Sequence, residues 1–178
     1  MKMDWNTVEV LRHARHDWLN QIQLIKGYIS LNNIDRVKEI IDEIVAESKN
    51  QSKLSNMKLP QFASLLLTCN WENHLFQIEF ECIHTIEQKI DDDILTEWTI
   101  HFFHTLDSSI QMFHDNHLSV TIEPQIEGIG FFFDFSGIIT NKEQIKQFLN
   151  NRESVALKTK IHAFTKEELS LEIFLPYN

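Results

Sequence analysis

The sequence predicts an α+β protein in two parts. A long N-terminal helical hairpin over residues 1–57 dimerises into a four-helix bundle, and an α/β domain follows over residues 58–178. Three observations lead there. Apolar residues in the first part recur at 3-4-3-4 spacing, which is the period of packed helices. Composition changes abruptly between Met57 and Pro60. Beyond that point short runs of alternating apolar and polar residues are interleaved with helical stretches, the pattern of a layered domain.

The first seam runs through Val8, Leu11, Arg15, Trp18, Ile22, Ile25 and Ile29, with Arg15 its one charged interruption. Asn32 and Asn33 break it, and a second seam follows through Ile34, Val37, Ile41 and Ile44, widened by Ile40 and Val45. Two helices of roughly 25 residues, each about 40 Å long, form an antiparallel hairpin. A hairpin alone has too little interior. A second copy is the natural cover, giving a four-helix bundle across a dimer axis, and the second half of the same chain is the other candidate.

In the second part Gln61–Trp71 reads as a short helix and Leu75–Cys82 as a half-buried strand. Asp91, Asp92 and Asp93 open a helix that runs through Trp98, Phe102, Leu106, Ile110 and Phe113. Leu118–Glu123 and Gly130–Phe135 are strands around a turn that includes Gly128. Asn141 caps a helix to about Leu149, and strands near Ala156–Ala163 and Leu169–Leu175 close the chain.

Composition excludes several classes of function. The first 57 residues carry eight Lys/Arg and eight Asp/Glu, so the whole net charge of -10 lies in residues 58–178. Nucleic acid and anionic membranes are bound through clustered cations, so neither is an expected partner. Only four glycines are present, too scattered for a phosphate-cradling loop, and no nucleotide-binding site is expected. Cys69 and Cys82 form neither a zinc module nor a disulfide framework. No segment reads as a signal peptide or membrane span, so a cytoplasmic location is expected.

Nine histidines invite a metal reading. The H-x-x-H pairs His101/His104 and His114/His117 lack the i, i+4 spacing and the converging carboxylates or thiolates that helical metal sites use, so no metal site is expected. His16 has different company. It projects beside the first seam, with Arg12 and His13 one turn back and Asn20, Gln23, Leu24 and Gly27 further along. Such a face suits either a solvated bundle surface or a nucleophilic imidazole along which another protein lies.

The run Arg15-His16-Asp17-Trp18-Leu19-Asn20-Gln21-Ile22-Gln23-Leu24-Ile25-Lys26-Gly27 resembles the phosphoacceptor helix of the sporulation initiation phosphotransferase B family. Its H-D-x-x-N core is also similar to phosphoacceptor helices of sensor histidine kinases. Asp35-Arg36-Val37 and the stretch Glu47-Ser48-Lys49 to Ser55-Asn56 resemble that family's second helix, and the similarity thins after about residue 85. Fifteen residues precede His16, so no longer leader is expected.

The resemblance implies a dimeric phosphotransferase of a sporulation phosphorelay. His16 would take a phosphoryl group from an aspartyl phosphate of the single-domain response regulator sporulation protein F. It would then pass it to an aspartate of the transcription factor sporulation protein A. His16, Asp17 and Asn20 are then the catalytic candidates, and Arg12, His13, Leu19, Gln23, Leu24 and Gly27 the docking face. The C-terminal domain would resemble a degenerate kinase ATPase domain without a nucleotide site. No cofactor belongs to this chain, and Mg²⁺ is expected on the receiver. Two rivals stand beside this reading. An autophosphorylating kinase would need an Asn box, for which Asn70 and Asn73 are the candidates, and a D-x-G-x-G motif, which the sequence lacks. A helical dimer that only binds receivers would need no chemistry at all.

Overall fold

The computed structural model describes residues 5–84, 89–151 and 157–177. The chain forms two compact units, Met1–Lys49 and Asn50–Asn178.

The N-terminal unit is built on two helices. Helix α1 (Thr7–Ser30) opens with a capping box: Asn6 Oδ1 accepts from Glu9 N at 3.0 Å, and Glu9 Oε2 accepts from Asn6 N at 3.3 Å. Two of the orphan amides at the helix start are thereby satisfied. Leu31-Asn32-Asn33 makes the turn, with Asn32 at φ 56°, a left-handed conformation that asparagine tolerates better than most residues. Asn33 Oδ1 accepts from Arg36 N and starts helix α2 (Ile34–Asn56). Among the described residues of this unit only Val37 and Ile40 are buried, while Val8, Leu11, Trp18, Ile22, Ile29, Ile34, Ile41 and Val45 stay exposed. Most of the predicted seam therefore lies open on this chain.

The second unit is a two-layer α+β sandwich. After α3 (Pro60–Thr68) and a 3-10 turn (Cys69–Trp71) come β1 (Gln77–Cys82), α4 (Asp92–Asp107), β2 (His117–Pro124) and β3 (Gly128–Ser136). Helix α5 (Lys142–Asn151) and strands β4 (Lys158–Phe164) and β5 (Glu168–Pro176) complete it. The sheet order is β1-β2-β3-β5-β4, with β1 and β2 parallel and every other pair antiparallel. The core-facing side of β3 presents Phe131 and Phe133. Phe62 of α3 meets Phe131 at 5.2 Å between ring centroids, and Trp98 and Phe102 of α4 meet Phe133 at 5.7 and 5.5 Å. Phe148 of α5 packs on Trp98. The other side carries Ser119, Thr121, Glu123, Asp134 and Glu172 together with Phe132 and Phe174, so one face of the sheet is covered and the other is mixed polar and aromatic.

The compact units divide within α2, between Lys49 and Asn50. Leu54 is fully buried in the C-terminal core beside Met57, and Lys53 Nζ donates to Cys82 O at 2.8 Å. The last turns of α2 thus belong to the second core.

Several element ends differ from the sequence pattern for local reasons. The helix expected to reach Phe113 stops at Asp107. Ser108 turns its hydroxyl back onto His104 O, and Ser109 O is taken by the amides of Thr140 and Asn141. Ile110 instead bridges Ile139, and Phe113 sits at φ 57° with its ring fully exposed. Strand β1 starts at Gln77 because Leu75 gives its N–H to Asp107 and its carbonyl to Asn116. The expected strand start at Ala156 lies outside the described residues; the strand itself begins at Lys158.

Asp92 has a larger role than its place in an acidic triplet suggests. Helix α3 has no side-chain cap of its own, since Leu59 precedes Pro60. Asp92 supplies one from α4, accepting from Gln61 N at 2.8 Å, Phe62 N at 3.0 Å and Thr96 Oγ1 at 3.2 Å. Asp91 meanwhile caps its own helix through Ile94 N. Asp92→Ala is expected to destabilise the protein by about 2 kcal/mol, with Asp92→Asn costing less because one oxygen remains. Urea unfolding of the two variants checks this; equal midpoints for Asp92→Ala and the parent would contradict it.

Candidate functional site

The capping box sets the phase of α1, and three turns later it brings His16 to the exposed surface. The imidazole is 72% exposed and the Asp17 side chain 54% exposed. Asn20 Nδ2 lies 3.2 Å from His16 Nδ1, and Asp17 Oδ1 lies 3.5 Å from the same nitrogen. Both neighbours thus address Nδ1, and no hydrogen bond among the described residues reaches Nε2. The arrangement is an open imidazole held from one side, with its outer nitrogen directed at whatever approaches.

The remaining face residues divide. Arg12, Leu19, Gln23 and Leu24 are exposed beside His16. A Cβ added at Gly27 would meet no described neighbour within 4 Å, so nothing among the described residues requires glycine there. His13 is placed differently: it is half-buried, with its ring edge-on to Trp5 at 5.1 Å.

The two thiols are closed off. Cys69 and Cys82 are buried. Burial pushes the Cys82 thiol up to about 11 despite the opposing pull of Lys53, and it pushes Cys69 further in the same direction. Among the described residues no group of three or more His, Cys, Asp or Glu could hold a metal ion. His101 faces Glu97, and His117 faces Asp115 at 2.7 Å. No described helix is long and apolar enough to cross a membrane.

Two arrangements had no signature in the spacing of the sequence. His74 is nearly buried, with Nδ1 2.7 Å from Asp107 Oδ2 and its ring stacked on Phe76. The other Asp107 oxygen holds Leu75 N, which makes this pair a structural tie between α4 and the entry to β1. Asn70, a candidate for a kinase Asn box, instead commits both ends of its amide to Ile78. Its Nδ2 donates to Ile78 O at 2.8 Å, and its Oδ1 accepts from Ile78 N at 2.9 Å. These partners are thirty-three and eight residues away in sequence, so only the folded sheet brings them together.

Residues 2–57 match the α-helical domain of the sporulation B-type sensor kinases, and residues 58–176 match the C-terminal domain of sporulation initiation phosphotransferase B. Sporulation initiation phosphotransferase B of Bacillus subtilis (strain 168) is 36% identical over 148 residues, spanning 81% of this chain and 77% of that protein. Similar solved structures include histidine kinase AdeS of Acinetobacter baumannii, at 10% identity with a TM-score of 0.49, covering 92% of this chain and 98% of that one. The catalytic domain of histidine kinase ThkA also appears, at 10% identity and a TM-score of 0.44, covering 71% of this chain and 92% of that one. A histidine-bearing helical hairpin followed by a five-stranded sheet domain, with the two family models and the 36% identical relative, defines a phosphorelay phosphotransferase. The chain belongs to the sporulation initiation phosphotransferase B family.

Proposed function

We propose that His16 accepts a phosphoryl group from an aspartyl phosphate of one response regulator and passes it to an aspartate of a second. The observation that carries this is the imidazole itself, 72% exposed on a helix face, with no hydrogen bond among the described residues at Nε2 and with Asn20 and Asp17 both facing Nδ1. A neutral imidazole attacks an acyl phosphate to give a phosphoramidate that still reacts with a carboxylate, so transfer in both steps needs alignment and charge neutralisation more than further covalent chemistry. Arg12 stands one turn from His16 to neutralise the phosphoryl, and Leu19, Gln23, Leu24 and Gly27 offer the receiver a shallow face. On the family resemblance the donor is sporulation protein F and the acceptor sporulation protein A, with Mg²⁺ held by the receiver, all in the cytoplasm. The open seam of Val8, Leu11, Trp18, Ile22 and Ile29 is covered by a second copy.

The test is a transfer assay. A receiver carrying radiolabelled aspartyl phosphate is mixed with the purified chain and a second receiver. Label is expected on the chain in acid-labile form and then on the second receiver. Labelling of the chain by ATP alone, with no receiver present, would overturn the relay reading in favour of a kinase.

Gly27 gives a finer check. Glycine within a helix costs about 0.5–1 kcal/mol relative to alanine, and the space beyond it is open. Gly27→Ala is expected to raise the melting temperature while slowing transfer severalfold, since the added methyl lies on the docking face. Calorimetry and the transfer assay measure the two effects; a variant that is both more stable and equally fast would remove Gly27 from that face.

A further inference from the structure

His16 Nδ1 has two neighbours that make opposite demands on it. The amide nitrogen of Asn20, 3.2 Å away, can only donate and so requires a lone pair on Nδ1. The carboxylate oxygen of Asp17, 3.5 Å away, accepts and so requires a proton there. A neutral imidazole has one ring proton and can satisfy one of them at a time. The Asn20 contact is the shorter, whereas 3.5 Å is beyond the usual range of a hydrogen bond. With Asn20 donating, the ring proton sits on Nε2, and the nitrogen that faces solvent has no lone pair with which to attack.

We infer that Asn20 is a positioning residue that holds His16 in its unreactive tautomer, and that exchanging this contact for Asp17 arms the ring when a receiver docks. The inference rests on the reading of His16 as the phosphoacceptor. Asn20 is itself exposed on the face the receiver covers, so a docked partner can draw its amide away.

In the armed form Nδ1–H donates to Asp17 Oδ1 and the Nε2 lone pair attacks phosphorus. The bond from phosphorus to the donor aspartate breaks, and its electron pair leaves with that carboxylate. The product is an N-phosphoimidazolium that keeps its proton on Nδ1. Loss of this proton to Asp17 or water gives a neutral ring whose Nδ1 again accepts from Asn20. That form holds its phosphoryl, because expelling it would leave an imidazolate anion. Onward transfer needs the proton back on Nδ1, so that a neutral imidazole departs as the acceptor carboxylate attacks phosphorus. One contact therefore quiets both the empty and the loaded histidine.

Long-range proton–nitrogen NMR of the full chain, under conditions where the ring is neutral, reads the tautomer directly. His16 is assigned by the loss of its signals in His16→Gln. The wild-type ring is expected to carry its proton on Nε2. Asn20→Ala should shift the tautomer ratio about threefold toward Nδ1–H, since Asp17 alone then addresses that nitrogen. Asn20→Asp, which can only accept, should shift it further. An unchanged ratio in both variants, or a wild-type ring with its proton on Nδ1, would overturn the inference. The phosphoacceptor role is judged separately by whether His16→Gln still takes up label from a receiver.

Discussion

His16→Gln is expected to abolish phosphoryl relay between receivers while the protein folds and associates as before. Glutamine matches the length of histidine and keeps a polar tip, but it has no ring nitrogen to form a phosphoramidate. The side chain is 72% exposed, so the cost to stability should lie within about 0.5 kcal/mol. Transfer should fall below detection, because losing a covalent nucleophile leaves no alternative path for the phosphoryl group. The thiols are no substitute, since Cys69 and Cys82 are buried with their ionisation suppressed. Acid-labile phosphate on His16→Gln after incubation with a phosphorylated receiver would refute the assignment. A decline in transfer accompanied by a lower unfolding midpoint would be resolved by titrating the folded fraction.

The second large effect concerns assembly. Ile22 lies near the middle of α1 and is 52% exposed although it belongs to the apolar seam. Ile22→Glu should therefore leave the monomer fold intact. In the proposed two-fold dimer the substitution is present in both copies, so each copy must desolvate a carboxylate where the seam offers apolar side chains. Each such burial costs several kcal/mol, enough to separate the copies at micromolar concentration. Sedimentation equilibrium should report a dimer for the parent and a monomer for Ile22→Glu, with unchanged helix content by circular dichroism. A variant that stays dimeric would place the interface elsewhere.

The parts of this fold that are legible in sequence are those set by local periodicity. The two long helices follow from the heptad spacing of Val8 through Ile29 and of Ile34 through Ile44. Helix α5 follows from Asn141, whose Oδ1 does accept from Gln144 N. Boundaries controlled by distant partners are not legible. Nothing near Ile110 announces that Ser109 O will be claimed by Thr140 and Asn141, which lie thirty-one residues or more away, and that claim is what ends α4. Asp92 reads as a residue favouring its own helix, yet its carboxylate also caps α3 across the fold.

The candidate site divides along the same line. His16, Asp17 and Asn20 lie within one turn of a single helix, so their spacing already implies proximity. What spacing cannot say is which ring nitrogen they address, and that is the detail on which the chemistry turns. His13 shows the limit from the other side. Its position one turn from His16 suggests the docking face, yet its ring is half-buried and edge-on to Trp5.

The burial of Leu54 has a practical meaning for dissecting this protein. A C-terminal fragment begun at residue 58 would leave a leucine-sized hole under the sheet domain and remove the ammonium that closes Cys82 O on the outer edge of β1. The same cut would give the hairpin fragment a leucine and a methionine with nothing to sit against. The natural place to sever the chain is therefore within helix α2, near Asn50, where the compact units divide. A fragment so defined brings its own plug.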